Sequence, residues 1–402
     1  MTSRVLRADT LLTFDAPRPA RGDDLVGAIA DAAVWLEGEG PRAKVRWCGR
    51  AAELPADAPT PSGAHALLMP AWVECHTHAL FGGSRHADFA LRNAGTSYAE
   101  ILEAGGGIMS TVDGTRATSD DVLVDTLVER LDDFWRQGVA VVEVKTGYGL
   151  SVQEELRHLR LIREAARQSP VHVVSTCLSA HAVPREFRDD RAAYVNAIVE
   201  EILPAVAAEG LAEQVDVFCD RGAYTVDESR RVLEAARSLG FGLRLHAEEL
   251  AHTGATRLAC ELGALSADHL EWIDADDVAA MAEADVAAVL LPIVTTFLDL
   301  EHRAPARALA DAGVRVAVST DYNPGSAHST NLALAASLSC TLHKLTPAEA
   351  LAGVTRVAAE VCGLAERYGV VKPGAFGGLL ASDLKDWRAL PYFVDAPPIR
   401  WA

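Results

Sequence analysis

Eight short apolar runs, rich in β-branched residues, constrain the fold of this chain more than any other feature. They lie at 66–75 (ALLMPAWVEC), 139–144 (VAVVEV), 172–178 (HVVSTCL), 214–219 (QVDVFC), 242–247 (GLRLHA), 264–268 (ALSAD), 286–291 (VAAVLL) and 314–319 (VRVAVS). Their length and near-continuous hydrophobicity suit strands buried on both faces, as in a parallel sheet, rather than strands with one wet face. Amphipathic helical stretches separate most of them. SDDVLVDTLVERLDDFWRQG (119–138) opens on an N-cap candidate, Ser119, and stops at Gly138. VQEELRHLRLIREAARQ (152–168) sets Leu156, Leu159 and Ile162 on one face, and DESRRVLEAARSLG runs from Asp227 to Gly240. Eight strand-then-helix units predict an α/β fold, a (β/α)8 TIM barrel with its chemistry at the C-terminal ends of the strands. A doubly wound sheet is the alternative, but no GxGxxG stands at a first strand–helix turn.

The chain ends do not follow this rhythm. RVLRADTLLTF, AAVWLEG and KVRWCG read as short β segments between Pro- and Gly-rich turns, and helical periodicity fades again after about residue 368. The expected division is a barrel over 66–367 and a small β-sandwich-like subdomain assembled from 1–65 and 368–402.

Bulk composition narrows the partners. A formal charge of −19 argues against nucleic acid or an anionic membrane surface, and an anionic substrate would need a local cationic group. The N-terminus has no secretory h-region, and no run approaches the roughly 18 apolar residues of a membrane span. Seven scattered cysteines, none in a CxxC pair, fit reduced thiols in the cytosol. A homodimer is the expected assembly.

The polar residues that bear chemistry sit at strand ends. In VECHTHALFGGSR (73–85), His76 and His78 are two apart and project the same way from an extended chain. Alone, that spacing describes hydrogen-bonded strand histidines as well as ligands. His246 closes the fifth run (RLHAEE) and Asp321 follows the eighth (VAVSTDYNPG). Three histidines and an aspartate at one end of a barrel form an N/O site suited to one divalent ion, zinc or ferrous iron. Such an ion brings the pKa of a coordinated water towards about 7.

The motifs PAWVECHTHALFGGSR, SYAEILEAGGGIMSTV, EVKTGYGL, LSAHAVP, LHAEE, GALSADHLE, AVLLP and STDYNPGS stand in the order found in a known family. The chain resembles the metal-dependent amidohydrolase superfamily and, within it, the imidazolonepropionase family, over roughly residues 22–375. That resemblance implies a (β/α)8 barrel with a small β-subdomain. It also implies hydrolytic opening of the ring of 4-imidazolone-5-propanoate, a small anionic substrate, to N-formimino-L-glutamate in histidine breakdown. Carried over, it makes His76, His78, His246 and Asp321 the metal ligands, and Glu249 and His269 the polar groups beside the metal that bond the substrate ring and move protons. Arg85, Tyr148, His181, Asn323, Gly325 and Ser326 become substrate-binding residues. Arg85 would clamp a carboxylate through paired charge-assisted hydrogen bonds. Asp321 would take a proton from the attacking water and pass it to the departing ring nitrogen, with help from Glu249 and a further donor at His269.

The residues alone leave alternatives. Tyr148, between two glycines, reads also as a turn residue, and His181 as a structural histidine. Strand alternation from His246 turns Glu248 inward, whereas the resemblance selects Glu249. Lys145 is read as structural rather than as a carboxylated metal bridge. AGGGIMSTV (104–112) lacks the GK[ST] ending of a phosphate loop and is expected to pack over the site. Cys75 should face away from His76. Competing activities are another mononuclear amidohydrolase, either a deaminase or a formiminoglutamate iminohydrolase, and a non-catalytic barrel that serves as a binding protein. Three features depart from the family: Ile293 after a proline, His328 in the loop after the eighth strand, and a tail (PPIRWA) without the usual final strand.

Overall fold

The computed structural model describes residues 2–96, 100–101, 105–376 and 378–402. Its centre is an eight-stranded, all-parallel sheet in sequential order: β5 (Trp72–Glu74), β6 (Val139–Lys145), β7 (His172–Ala180), β8 (Gln214–Cys219), β9 (Gly242–Ala247), β10 (Ser266–His269), β11 (Ala287–Leu290) and β12 (Val316–Val318). The first and last strands meet through a parallel bridge between Thr77 and Tyr322, in which the His78 N–H donates to Tyr322 O at 2.9 Å. Glu74 fastens the same seam. Its carboxylate accepts the N–H groups of His76 (2.9 Å) and Thr320 (3.0 Å) and the Ser319 hydroxyl.

Val141, Val142, Val144, Val215, Val217, Leu245 and Val289 are buried within these strands. Each such side chain withdrawn from water contributes about 1.5–3 kcal/mol. The intervening helices cover the outside. Asp120–Arg136 buries Leu123, Leu127, Leu131 and Phe134. Val152–Gln168 buries Leu159 and Ile162, with Leu156 half-buried, and Ser151 caps it by accepting the Glu154 N–H. The helix expected from Asp227 begins one residue earlier, at Val226, because Thr225 and Glu228 form a reciprocal capping box there.

The six remaining strands form one further sheet, ordered β14-β13-β4-β1-β2-β3, from β1 (Ser3–Leu12), β2 (Ala28–Glu37), β3 (Lys44–Arg50), β4 (Pro61–Pro70), β13 (Leu379–Ser382) and β14 (Ile399–Trp401). The sandwich-like unit read from the chain ends is thus a single sheet with apolar side chains packed on both faces, Leu6, Val34 and Leu36 on one and Val5 and Trp35 on the other.

Two expectations are corrected. The run 66–75 is not one barrel strand: 61–70 pairs in the small sheet, and the barrel begins at Trp72. Pro70 brings no N–H to a ladder and Ala71 N donates to Gly378 O at 2.7 Å, so the chain changes sheets there. The tail does supply closing strands. β13 pairs with β4, β14 pairs with β13, and Trp401 stacks on Trp135 at 3.8 Å while its indole N–H donates to Trp135 O. Strands of three and four residues carry too little alternation to be read from sequence.

Candidate metal centre and active site

The polar side chains converge at the C-terminal ends of the barrel strands. His76 and His78 follow β5, His246 lies on β9, and Asp321 follows β12. Asp321 Oδ1 is 3.4 Å from His76 Nε2 and 3.3 Å from His78 Nε2, and His246 Nε2 is 3.3 Å from His78 Nε2. All four side chains are buried. Burial, with Lys145 adding to it, holds His76 well below its ordinary pKa and His78 at about 3. His246 is lowered to about 4, chiefly by burial and against the pull of Asp216. All three are therefore neutral imidazoles, the form that donates a lone pair.

Among the described residues, His76 Nε2 and Asp321 Oδ1 have no hydrogen-bond partner although both are buried. Orphaned buried polar atoms are costly. The donors gather in two overlapping triads, His76–His78–Asp321 and His76–His246–His269, and neutral imidazoles with a carboxylate are donor types that fit a divalent ion of the zinc or iron type.

The Nδ1 sides of two of these histidines are engaged from below. His76 Nδ1 lies 2.6 Å from Asp268 Oδ2 and His246 Nδ1 lies 3.0 Å from Asp216 Oδ2. A carboxylate can only accept, so the His76 ring keeps its proton on Nδ1 and presents Nε2 to the site, while His246 Nδ1 sits beside Asp216 outside hydrogen-bond geometry.

His269 ends β10 with Nε2 3.7 Å from Glu249 Oε2 and Nδ1 3.9 Å from Glu271 Oε2. Burial disfavours its charged form, but Glu249, Glu271 and Asp321 outweigh it, and its pKa is pushed up to about 9. Burial pushes the Asp321 carboxyl up to about 6, against the opposing pull of His269 and His246.

The adjacent glutamates have separate positions. Glu248 adopts a left-handed backbone (φ +51), which breaks strand alternation directly after β9. Its carboxylate turns to the helix Ala255–Leu262, accepting from Gly254 N (2.8 Å), Thr256 N (3.0 Å) and the Thr256 hydroxyl. Glu249 is left facing His269, so simple parity with His246 fails here.

Tyr148 and His181 stand on one wall. His181 stacks on His78 at 4.9 Å, and its Nδ1 donates to Gly147 O at 3.0 Å, leaving Nε2 as an acceptor. Gly147 has φ +114, and a Cβ there would meet His181 Nδ1 at 2.8 Å, so this turn is glycine-dependent. Tyr148 lies 5.4 Å from the His181 ring and is buried, which removes it from the class of exposed turn residues.

On the opposite side, Asn323 organises the loop after β12. Its amide nitrogen donates to Asp321 O (2.7 Å) and Oδ2 (3.0 Å), and its oxygen accepts from Gly325 N and Ser326 N, both at 2.8 Å. Arg85 faces this loop. Its Nε is bonded to Asp88, which also accepts Gly107 N at 2.9 Å, and its terminal nitrogens approach Gly325. Part of the glycine-rich stretch thus reaches the site rim through Asp88. Residues 97–99 and 102–104 of SYAEILEAGGGIMSTV lie outside the described residues.

The remaining candidates face elsewhere. Ile293 is buried in the core at the start of the helix Pro292–Phe297. His328 packs on Phe81 and Tyr322, with ring centroids 5.9 and 5.2 Å away. The Cys75 thiol is buried, which pushes its pKa well up. Lys145 donates to Glu143 and Asp216, each at 2.9 Å, so its amine is committed to two buried carboxylates.

Sequence reasoning missed Glu143, Asp216, Arg244, Asp268 and Glu271. For the first four a signal existed: a charged residue inside an apolar run predicted to be buried on both faces must find a partner. Glu271, beyond a strand end, carried no such signal.

The amidohydrolase family model matches residues 67–398. The imidazolonepropionase of Myxococcus xanthus (strain DK1622) is 44% identical over 395 residues, covering 97% of this chain and 93% of that protein. The imidazolonepropionase of Acinetobacter baumannii (strain AB307-0294) is 41% identical over 368 residues and covers 91% of each. Among solved structures, a zinc-bound adenosine deaminase from Xanthomonas campestris superposes with a TM-score of 0.68 at 17% identity, covering 98% of this chain and 90% of that one. The A. niger ochratoxinase gives 0.70 at 16%, covering 99% and 93%. At such identities these two share the fold alone. The chain belongs to the amidohydrolase family and, within it, to the imidazolonepropionases.

Proposed function

We propose that the protein is a metal-dependent hydrolase that cleaves a ring C–N bond of 4-imidazolone-5-propanoate, yielding N-formimino-L-glutamate in histidine degradation. What supports this reading is Arg85, whose guanidinium lies against Gly325 in the loop that follows Asp321, together with the grouping of His76, His78 and Asp321 and of His76, His246 and His269. In so acidic a chain, an arginine set at the mouth of the site is suited to the substrate's propanoate.

The donors His76 Nε2, His78 Nε2, His246 Nε2 and Asp321 Oδ1 would hold one divalent ion, zinc or iron. When bound, that ion supplies Lewis-acid polarisation of the ring carbonyl and a water that is nucleophilic at neutral pH. Asp321 takes a proton from the attacking water and returns it to the ring nitrogen as its bond to the carbonyl carbon breaks. His269, favoured as an imidazolium by its acidic neighbours, donates to the oxygen on which charge develops. Glu249 bonds the ring N–H and shares in the proton transfer. Tyr148 and His181 line the wall against which the ring rests, and Asn323 holds Gly325 and Ser326 in place for the carboxylate end. The free thiols of all seven cysteines support a reducing compartment, the cytosol.

Product analysis tests the reading. Incubation with freshly generated imidazolonepropanoate should yield formiminoglutamate by mass spectrometry. Release of ammonia from formiminoglutamate, without ring opening of the imidazolone, would select the iminohydrolase alternative.

A further inference from the structure

Two of the histidines that face the metal position are joined underneath it by a chain of five buried charges. On one arm, Asp268 holds His76 Nδ1 at 2.6 Å and receives Arg244 Nη2 at 2.6 Å. On the other, Asp216 lies 3.0 Å from His246 Nδ1 and receives Lys145 Nζ at 2.9 Å. The arms meet at Glu143, whose Oε1 accepts Lys145 Nζ at 2.9 Å and lies 3.6 Å from Arg244 Nη1. The other oxygen of Glu143 accepts the N–H of Thr77 at 3.0 Å, and Thr77 is the residue between the two strand-end histidines. None of these five charged side chains is exposed to solvent.

We infer that Glu143 is a positioning residue for the metal centre: it touches no ligand side chain, yet it anchors the backbone of the His76–His78 pair and both cations that hold the carboxylate partners of His76 and His246. The inference rests on the metal reading of the site. Its physical basis is that a buried cation is ordered by the groups that receive it: Glu143 and Asp216 for Lys145, and Asp268, Glu143, Cys75 O (2.6 Å) and Ser266 Oγ (3.1 Å) for Arg244. Without the charge on Glu143, Lys145 and Arg244 would draw Asp216 and Asp268 away from the imidazoles.

Glu143→Gln isolates this role, because the amide oxygen still accepts the Thr77 N–H while the charge is lost. Zn2+ affinity, measured by competition with a chelating dye, should fall about 10–100-fold, as for loss of other groups that orient metal-bound histidines. The visible bands of the Co2+-loaded protein should shift, and the metal-free protein should melt within a few degrees of wild type. Wild-type Zn2+ affinity with an unaltered Co2+ spectrum overturns the inference, whether or not the metal-free variant melts lower. If Glu143→Gln does not fold, the same readouts on Glu143→Asp decide, since that variant keeps the charge but withdraws the carboxylate from Thr77 N, Lys145 Nζ and Arg244 Nη1. The result does not depend on the substrate. A wild-type protein that fails to bind Zn2+ would instead overturn the metal reading itself.

Discussion

The guanidinium of Arg85 lies directly against Gly325: a Cβ at residue 325 would come within 3.0 Å of Arg85 Nη1 and 3.3 Å of Cζ. The chain leaving β5 and the loop after β12 are thereby fitted to each other, with room for the arginine head only because residue 325 has no side chain.

This contact separates binding from chemistry. Arg85→Met should raise KM about 10–100-fold with kcat little changed, since charge-assisted hydrogen bonds contribute about 1.5–3 kcal/mol. Gly325→Ala, which only displaces the flexible arginine head, should raise KM a few-fold. Steady-state kinetics on both variants checks the pair, and an unchanged KM in Arg85→Met would remove Arg85 from substrate binding.

Asp321→Asn keeps the shape of the side chain but removes the proton acceptor. It should lower kcat by about 10²–10⁴-fold while the far-ultraviolet circular dichroism stays native. A variant with wild-type kcat would take the proton transfer away from Asp321.

Adjacent glutamates should give opposite phenotypes. Glu248→Ala removes three hydrogen bonds at the start of the helix Ala255–Leu262 and should cost about 2–3 kcal/mol, read as a lower Tm. Glu249→Gln should leave Tm in place and lower kcat about 100-fold. Reversal of the two phenotypes would restore the parity assignment.

His158 gives a pH signature away from the site. Burial, reinforced by Arg157 and Arg116, holds its pKa at about 3, while an unfolded histidine titrates near 6.5. Above about pH 6.5 both states are neutral and His158 contributes nothing to the pH dependence. Below it the unfolded chain takes up a proton that the folded one refuses, so stability falls as pH drops towards the folded value. Between about pH 6.5 and pH 5 the loss approaches about 2 kcal/mol, and His158→Leu should remove that component of the Tm-versus-pH curve.

Most of the barrel strands were legible because strands buried on both faces are largely apolar, and seven of the eight runs begin and end within two residues of an observed strand. The run at 66–75 misled because β4 and the first barrel strand are contiguous in sequence, and only the Pro70–Ala71 junction divides them. β13 and β14 escaped because their stability comes from pairing and from Trp401 on Trp135, which alternation does not encode. His76, His78, His246 and Asp321, which the fold brings together, were singled out in the sequence by their place at strand ends. Glu249 needed a resemblance to known proteins, since the left-handed turn at Glu248 leaves no mark in residue types. Glu143 was visible as a charge in VAVVEV but had no interpretable partner until the fold brought Arg244 and Thr77 beside it.

The central claim is hydrolysis of imidazolonepropanoate at a metal held by His76, His78, His246 and Asp321. The most direct measurement follows the ultraviolet absorbance of that substrate with metal-loaded, chelator-stripped and Zn2+- or Fe2+-reconstituted protein. The account predicts rapid loss of absorbance with the loaded protein, none above background after stripping, and recovery on reconstitution. Stable absorbance with the loaded protein, or undiminished turnover after complete removal of metal, would contradict it.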